Sequence, residues 1–154
     1  MPDTRLILAS ASPRRRELLD QLEASYTCHP AHIDESQRVG EGPSDYVQRM
    51  AREKAQAVAN HYPTPAYAVL AADTVVVIDG VVLGKPRDRV DALDILARLS
   101  GRRHSVLTAV CLCSATGMQS ALVETEVEFI TLSDDICAAY LDTTEPWDKA
   151  GAYG

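Results

Sequence analysis

The stretch from Tyr67 to Ile78 constrains this chain more than any other. As a strand it is apolar on both faces, with Val69, Ala71, Val75 and Val77 sharing one of them. Such a strand suits a sheet flanked by helices. Asp79-Gly80 follows as a two-residue hairpin turn, and Val81-Val82-Leu83 predicts the returning strand. Asp73 and Thr74 interrupt the apolar run at its centre.

The rest of the pattern supplies the cover. Arg5–Ala9 reads as a short buried strand and Ser25–His29 as another. Between them a helix opens, with Ser12 as N-cap, Pro13 at the first helical position and Leu18, Leu19 and Leu22 as its stripe. Pro30–Gly42 is polar and predicts a loop. Ser44 is expected to cap a helix from about Asp45 to Asn60. Its stripe is Tyr46, Val47, Met50, Ala51, Ala55, Val58 and Ala59. Pro86-Arg-Asp88 leads into a third helix through Val90, Leu93, Leu96 and Leu99, stopped at Gly101. His104–Cys113 and Gln119–Ile130 predict two strands joined at Ala115–Gly117. In the second, Val123, Thr125, Val127 and Phe129 alternate with Glu124, Glu126 and Glu128, which predicts one buried and one wet face. Ser133 caps a last helix to about Leu141. The expected fold class is α/β: a mixed, twisted β-sheet flanked by helices, in one domain over residues 1–154.

Composition narrows the function classes. A chain of 154 residues buries roughly 68–70% of its unfolded surface and needs no disulfide or structural metal to fold. Its formal net charge of -7 argues against wrapping DNA or RNA, which takes a basic surface. No apolar run approaches the roughly 20 residues of a membrane helix, and the N-terminal run is too short for a signal peptide core. Cys28, Cys111, Cys113 and Cys137 form no CxxC pair, and Cys111 and Cys113 read as small core hydrophobes. A reducing, cytoplasmic setting is expected.

Several residues break the bland pattern. A strand runs into Ser10-Ala-Ser12-Pro13, and the helix then opens with Arg14-Arg15-Arg16. Cations at a helix N-terminus oppose its dipole unless an anion sits nearby. Ser10, Arg14 and Arg15 read either as a phosphate cradle or as a solvated basic face. Asp73 lies in a doubly apolar strand, and burying an unpaired carboxylate is expensive. It needs a cation or metal partner, or loop N–H groups. Lys54 falls inside an apolar helical stripe, so its ammonium either snorkels out or enters a cleft. Hairpin pairing sets Lys85 opposite Thr74, one residue from Asp73 but on the other face. Glu35 sits in the polar loop, where a solvated carboxylate is the default. Cys28, His29 and His32 lack a fourth ligand at zinc spacing.

These residues also carry a resemblance. Leu8–Leu19, Ile33-Asp-Glu35, Ala51-Arg-Glu-Lys-Ala55, Ala71-Ala-Asp-Thr-Val75, Leu83-Gly-Lys-Pro86 and Glu145–Gly154 resemble, in order, the motifs of the Maf family of nucleotide pyrophosphatases. The resemblance implies an elongated fold with a central cleft, similar to the inosine triphosphate pyrophosphatases, and commonly a homodimer. It implies hydrolysis of a nucleoside triphosphate to the monophosphate and pyrophosphate with a divalent cation, Mg²⁺ or Mn²⁺. Asp73-Thr74 and the ending Asp148–Gly154 resemble the dTTP/UTP branch, whose substrates extend to modified pyrimidine nucleotides. Carried onto this sequence, the family pattern makes Asp73 the general base and, with Glu35, a metal ligand. It makes Ser10, Arg14, Arg15, Lys54 and Lys85 phosphate-binding, and ties Arg14 and Thr74 to base selection. The family pattern continues past Gly154, so the expected fold lacks the family's C-terminal part. The alternative is a nucleotide-binding regulator of septum formation, which would need the cations but no general base.

Overall fold

The computed structural model describes residues 4–154. The elements in chain order are β1 (Arg5–Leu8), α1 (Pro13–Gln21), β2 (Tyr26–Cys28), α2 (Pro43–Ala59), β3 (Tyr67–Ile78), β4 (Val81–Leu83), α3 (Arg89–Leu99), β5 (Arg103–Ser114), β6 (Gly117–Glu128) and α4 (Asp134–Leu141). Two short 3-10 turns, Glu145–Asp148 and Ala150–Ala152, close the chain. The strands form one mixed sheet in the order β2-β1-β3-β5-β6, with β4 paired to β3. β1 runs parallel to both β2 and β3, while β4 returns antiparallel to β3. The expected mixed sheet with helices is therefore the observed one.

The chain divides into two compact units. One holds the chain up to Glu41, Asp45–Asp73 and Ala109–Leu122; the other holds Gly42–Ser44, Thr74–Thr108 and Val123–Gly154. β3, β5 and β6 each contribute a part to both.

In the first unit, β1 pairs with β3 from Arg5↔Tyr67 to Leu8↔Leu70. Both faces of β3 are buried here: Ala68 and Ala72 on one, Val69 and Ala71 on the other. α2 packs with Val47, Met50, Ala51, Ala55 and Val58, all at most 2% exposed. The helix starts at Pro43, so Ser44 lies inside its first turn rather than at the cap. A proline suits that start, because its missing N–H would have no helical partner. Ser12 does stand at the N-cap of α1, but its side chain makes no capping bond. α1 buries only Leu19; Leu18 and Leu22 are 58% and 76% exposed.

In the second unit, Asp79 and Gly80 take φ of 51° and 76°, the left-handed pair that a tight hairpin requires. Val76, Ile78 and Leu83 pack with Ala92, Ile95, Leu96 and Leu99 of α3 and Cys137 and Leu141 of α4. Asp88 caps α3 by accepting a hydrogen bond from the Asp91 N–H. The buried face of α3 is rotated from the expected stripe, leaving Val90 77% exposed and Leu93 at 36%. Gly151 meets this core directly. Its φ is 74°, and a Cβ there would lie 2.7 Å from Val76 Cγ2.

β6 departs most from expectation. Its alternating pattern predicts a buried face, yet Val123 is 57% exposed and Thr125 exposed; only Val127 and, just past the strand, Phe129 are half-buried. β6 ends the strand order, and alternation marks a face that could be covered without supplying the cover. Cys111 is buried and Cys113 half-buried; all four cysteines are free thiols.

Candidate functional site

Six of the eight residues singled out from sequence lie in the first unit, and five of them, Ser10, Arg15, Glu35, Lys54 and Asp73, are linked by hydrogen bonds, ion pairs or mutual charge. Ser10 follows β1 and is 7% exposed. Its Oγ accepts from the Ser12 N–H at 3.1 Å and from Arg15 Nη1 at 3.1 Å. The Arg15 guanidinium is thus turned back from the first turn of α1 onto the end of β1. Burial lowers its pKa, and the negative charge of Asp73 opposes that shift.

Asp73 stands at the end of the first unit's part of β3, where the apolar run breaks. Lys54 reaches it from α2: Nζ donates to Asp73 Oδ1 at 3.1 Å and lies 2.8 Å from Glu35 Oε1. The Lys54 and Asp73 side chains are only 14% and 15% exposed, whereas Glu35 is 59% exposed. The Lys54 ammonium is thus paired with two carboxylates rather than left in solvent. Burial pushes the Asp73 carboxyl above its ordinary 3.8; the charge and hydrogen bond of Lys54 pull it back, as does Arg15. The arrangement holds a desolvated carboxylate beside two cations, with a second carboxylate on the same ammonium. That can bind a polyanion and take up a proton from water.

Arg14 is exposed on the first turn of α1. Thr74 and Lys85 belong to the second unit. The Thr74 and Thr108 hydroxyls share a hydrogen bond of 3.0 Å. Continuing the β3–β4 register would set Lys85 opposite Thr74, but the pairing ends at Val76↔Leu83 and Lys85 leaves the strand exposed. It lines a shallow cleft with Leu83, Arg87, Asp91 and Arg98. His29 is engaged by Tyr62, its Nδ1 2.8 Å from the Tyr62 hydroxyl. Among the described residues, no three His, Cys, Asp or Glu side chains gather to hold a metal ion.

Two contributors escape a pattern-based reading. Arg49 on α2 is 7% exposed and binds Glu41 and Glu53. Tyr46, read as part of an apolar stripe, donates its hydroxyl to the Glu35 carbonyl. Burial, then the charges of Asp73 and Glu35, raise the Tyr46 pKa. A charged residue at the edge of a stripe was the available signal, but nothing local distinguishes Arg49 from a solvated arginine.

The model of the Maf-like protein family matches residues 5–154. The chain belongs to the Maf-like protein family. A dTTP/UTP pyrophosphatase of Anaeromyxobacter dehalogenans is 56% identical over 153 residues, covering 97% of this chain and 76% of that one. Others so named, from Koribacter versatilis and Methylobacillus flagellatus, are 50% and 49% identical, over 97% and 98% of this chain and 76% of each relative. The Ham1 protein of Staphylococcus aureus is similar in fold, with a TM-score of 0.53 and 12% identity over 81% of this chain and 71% of that one. The matched span contains Ser10, Glu35, Lys54 and Asp73. No described helix is long and apolar enough to cross a membrane.

Proposed function

We propose that this Maf-like chain hydrolyses dTTP and UTP, and related modified pyrimidine nucleotides, to the monophosphate and pyrophosphate. The observation that carries the reading is the largely buried Asp73 carboxylate held by Lys54, which also binds Glu35. Identities near 50% to proteins named dTTP/UTP pyrophosphatase support the choice of substrate.

In this reading Asp73 is the general base. Burial raises its pKa, which makes the deprotonated form a better proton acceptor, while the charge and hydrogen bond of Lys54 favour that form. The water so activated attacks the α-phosphorus, and pyrophosphate leaves as one piece. Arg15, anchored on the Ser10 hydroxyl, holds phosphate oxygens with its remaining N–H groups, and Lys54 turns toward the charge that develops. Arg14, on the same turn of α1, adds a cationic contact and helps select the base. The donor set fits a hard divalent cation: two carboxylate oxygens from different elements already converge on one positive atom. Glu35 and Asp73 would hold Mg²⁺ or Mn²⁺, which neutralises triphosphate charge when bound. The reading extends to a cytoplasmic homodimer that engages neither DNA, RNA nor membrane, the first of these supported by the net charge of -7.

The test is a nucleotide panel of dTTP, UTP, CTP and 7-methyl-GTP, each with Mg²⁺ or Mn²⁺, resolved by ion-exchange chromatography. Release of dTMP or UMP with intact pyrophosphate, abolished by EDTA, is expected. A nucleoside diphosphate with free phosphate would overturn the mechanism, and fastest turnover of 7-methyl-GTP the substrate choice.

A further inference from the structure

Glu35 stands on a segment with no helix or strand of its own, between β2 and α2. Its placement against Lys54 therefore depends on whatever fixes that segment. The fixing groups come from α2. The Tyr46 hydroxyl donates to the Glu35 carbonyl, and Arg49 Nη2 donates to the next carbonyl, Ser36 O, at 2.9 Å. The same guanidinium grips the far end of the segment. Nε donates to Glu41 Oε2 at 2.6 Å and Nη2 to Glu41 Oε1 at 2.8 Å, while Nη1 reaches Glu53 at 2.9 Å. Glu41 in turn accepts from the Arg38 N–H at 3.1 Å, and its carbonyl accepts from Gln37 Nε2 at 2.7 Å. The Arg49 and Glu41 side chains are 9% and 10% exposed, so the fork is shielded from water. Its strength shows in Glu41, whose carboxyl is held at about 2 by Arg49.

We propose that Arg49 is a positioning residue: by pinning both ends of the Glu35–Glu41 segment to α2, it sets the Glu35 carboxylate beside Lys54 and Asp73. All three of its nitrogens are engaged within the protein, so it acts through Glu35 rather than on substrate. The pyrophosphatase reading above enters only in the use made of Glu35, as a cation ligand. Tyr46 and Arg49 lie three residues apart and Lys54 five further on, so one rigid helix carries both the clamp and the ammonium that Glu35 meets. Groups that orient a ligand from behind typically change metal affinity about 10–100-fold.

Arg49→Met alone leaves Glu41 shielded without its partner, so the test uses the neutral pair Arg49→Met/Glu41→Gln. Two measurements on the full chain decide it. In metal-free protein, amide hydrogen exchange over residues 35–41 should rise about tenfold or more, while α2 and β3 keep their protection. Unchanged exchange in the segment overturns the proposal. So does an equal loss of protection across α2 and β3, which would make Arg49 a general prop of the fold. In the second measurement, Mn²⁺ binding is followed by electron paramagnetic resonance with α,β-methylene-UTP present. The pair substitution should weaken binding about tenfold with Glu35 in place, and add little in a Glu35→Gln background. Equal weakening in both backgrounds overturns the proposal. A wild-type chain that neither binds Mn²⁺ with this analogue nor hydrolyses UTP would sink the functional reading, and hydrogen exchange would still decide the positioning role.

Discussion

The two units treat buried polarity in opposite ways. The first buries Ser10 and the charged Arg49, and holds the Lys54–Asp73 ion pair at 14% and 15% exposure. Among the described residues the second buries one polar side chain, His104, at 4% exposed. Its Nε2 lies 2.6 Å from the Tyr153 hydroxyl, and its Nδ1 has no partner. Its core is built mainly from Val, Leu and Ile side chains of β3, β4, α3 and α4. Desolvated charge contributes little net stability, since Coulomb attraction is largely offset by lost hydration. A unit that gathers carboxylates and cations therefore gives up stability for chemistry. A unit filled with Leu and Ile does the reverse.

The comparison is broken most sharply at Asp73. Asp73→Asn should lower kcat about 10²–10⁴-fold while nucleotide binding persists, as read by pyrophosphate release and calorimetric titration. Stability at neutral pH should hold or rise. The folded carboxyl has its pKa raised, so the native state binds that proton more tightly than the unfolded chain. Stability is then lost as pH climbs through the interval above 3.8, and Asn removes the loss. A large drop in melting temperature with kcat intact would reverse the assignment of roles between the units.

Leu99 is fully buried in the second unit. Leu99→Ala should destabilise by about 2–5 kcal/mol in urea titration, because the cavity adds to the lost transfer energy. A change under about 1 kcal/mol would mean this core collapses around the gap and is looser than its packing indicates.

Gly151→Ala sets a Cβ against Val76 in a left-handed conformation. It should cost about 1–3 kcal/mol by the same measurement. If the variant is as stable as the parent, Val76 yields and the contact is not a constraint.

The smallest expected effect is at His104. Burial lowers its pKa from 6.5, so the folded state binds fewer protons than the unfolded one below that value. Stability should fall as pH drops through the ordinary histidine range, and His104→Phe should flatten that slope. A slope unchanged in His104→Phe would assign the acid sensitivity elsewhere.

What the sequence by itself determined is what near neighbours control. The doubly apolar Tyr67–Ile78 strand, the Asp79-Gly80 hairpin and the α2 stripe are legible because periodicity and turn chemistry act over a few residues. Asp73 and Lys54 stood out because each puts a charge where its neighbours are apolar, and that conflict is local. The motifs, read together, also placed the chain in its family. Tertiary structure alone decided the rest. Glu35 reads as a solvated loop carboxylate until folding carries its segment to Lys54, 19 residues on. Arg49 reads as one more surface arginine until Glu41, Ser36 and Glu53 close around it. β6 and β3 differ in the same way. Both carry apolar residues, but burial depends on what else packs against a strand, and alternation records only which face could accept it. Charge pairing at Lys54 follows the same rule: Glu35 and Asp73 each lie 19 residues from it in sequence, and only the folded backbone brings them within reach of its ammonium.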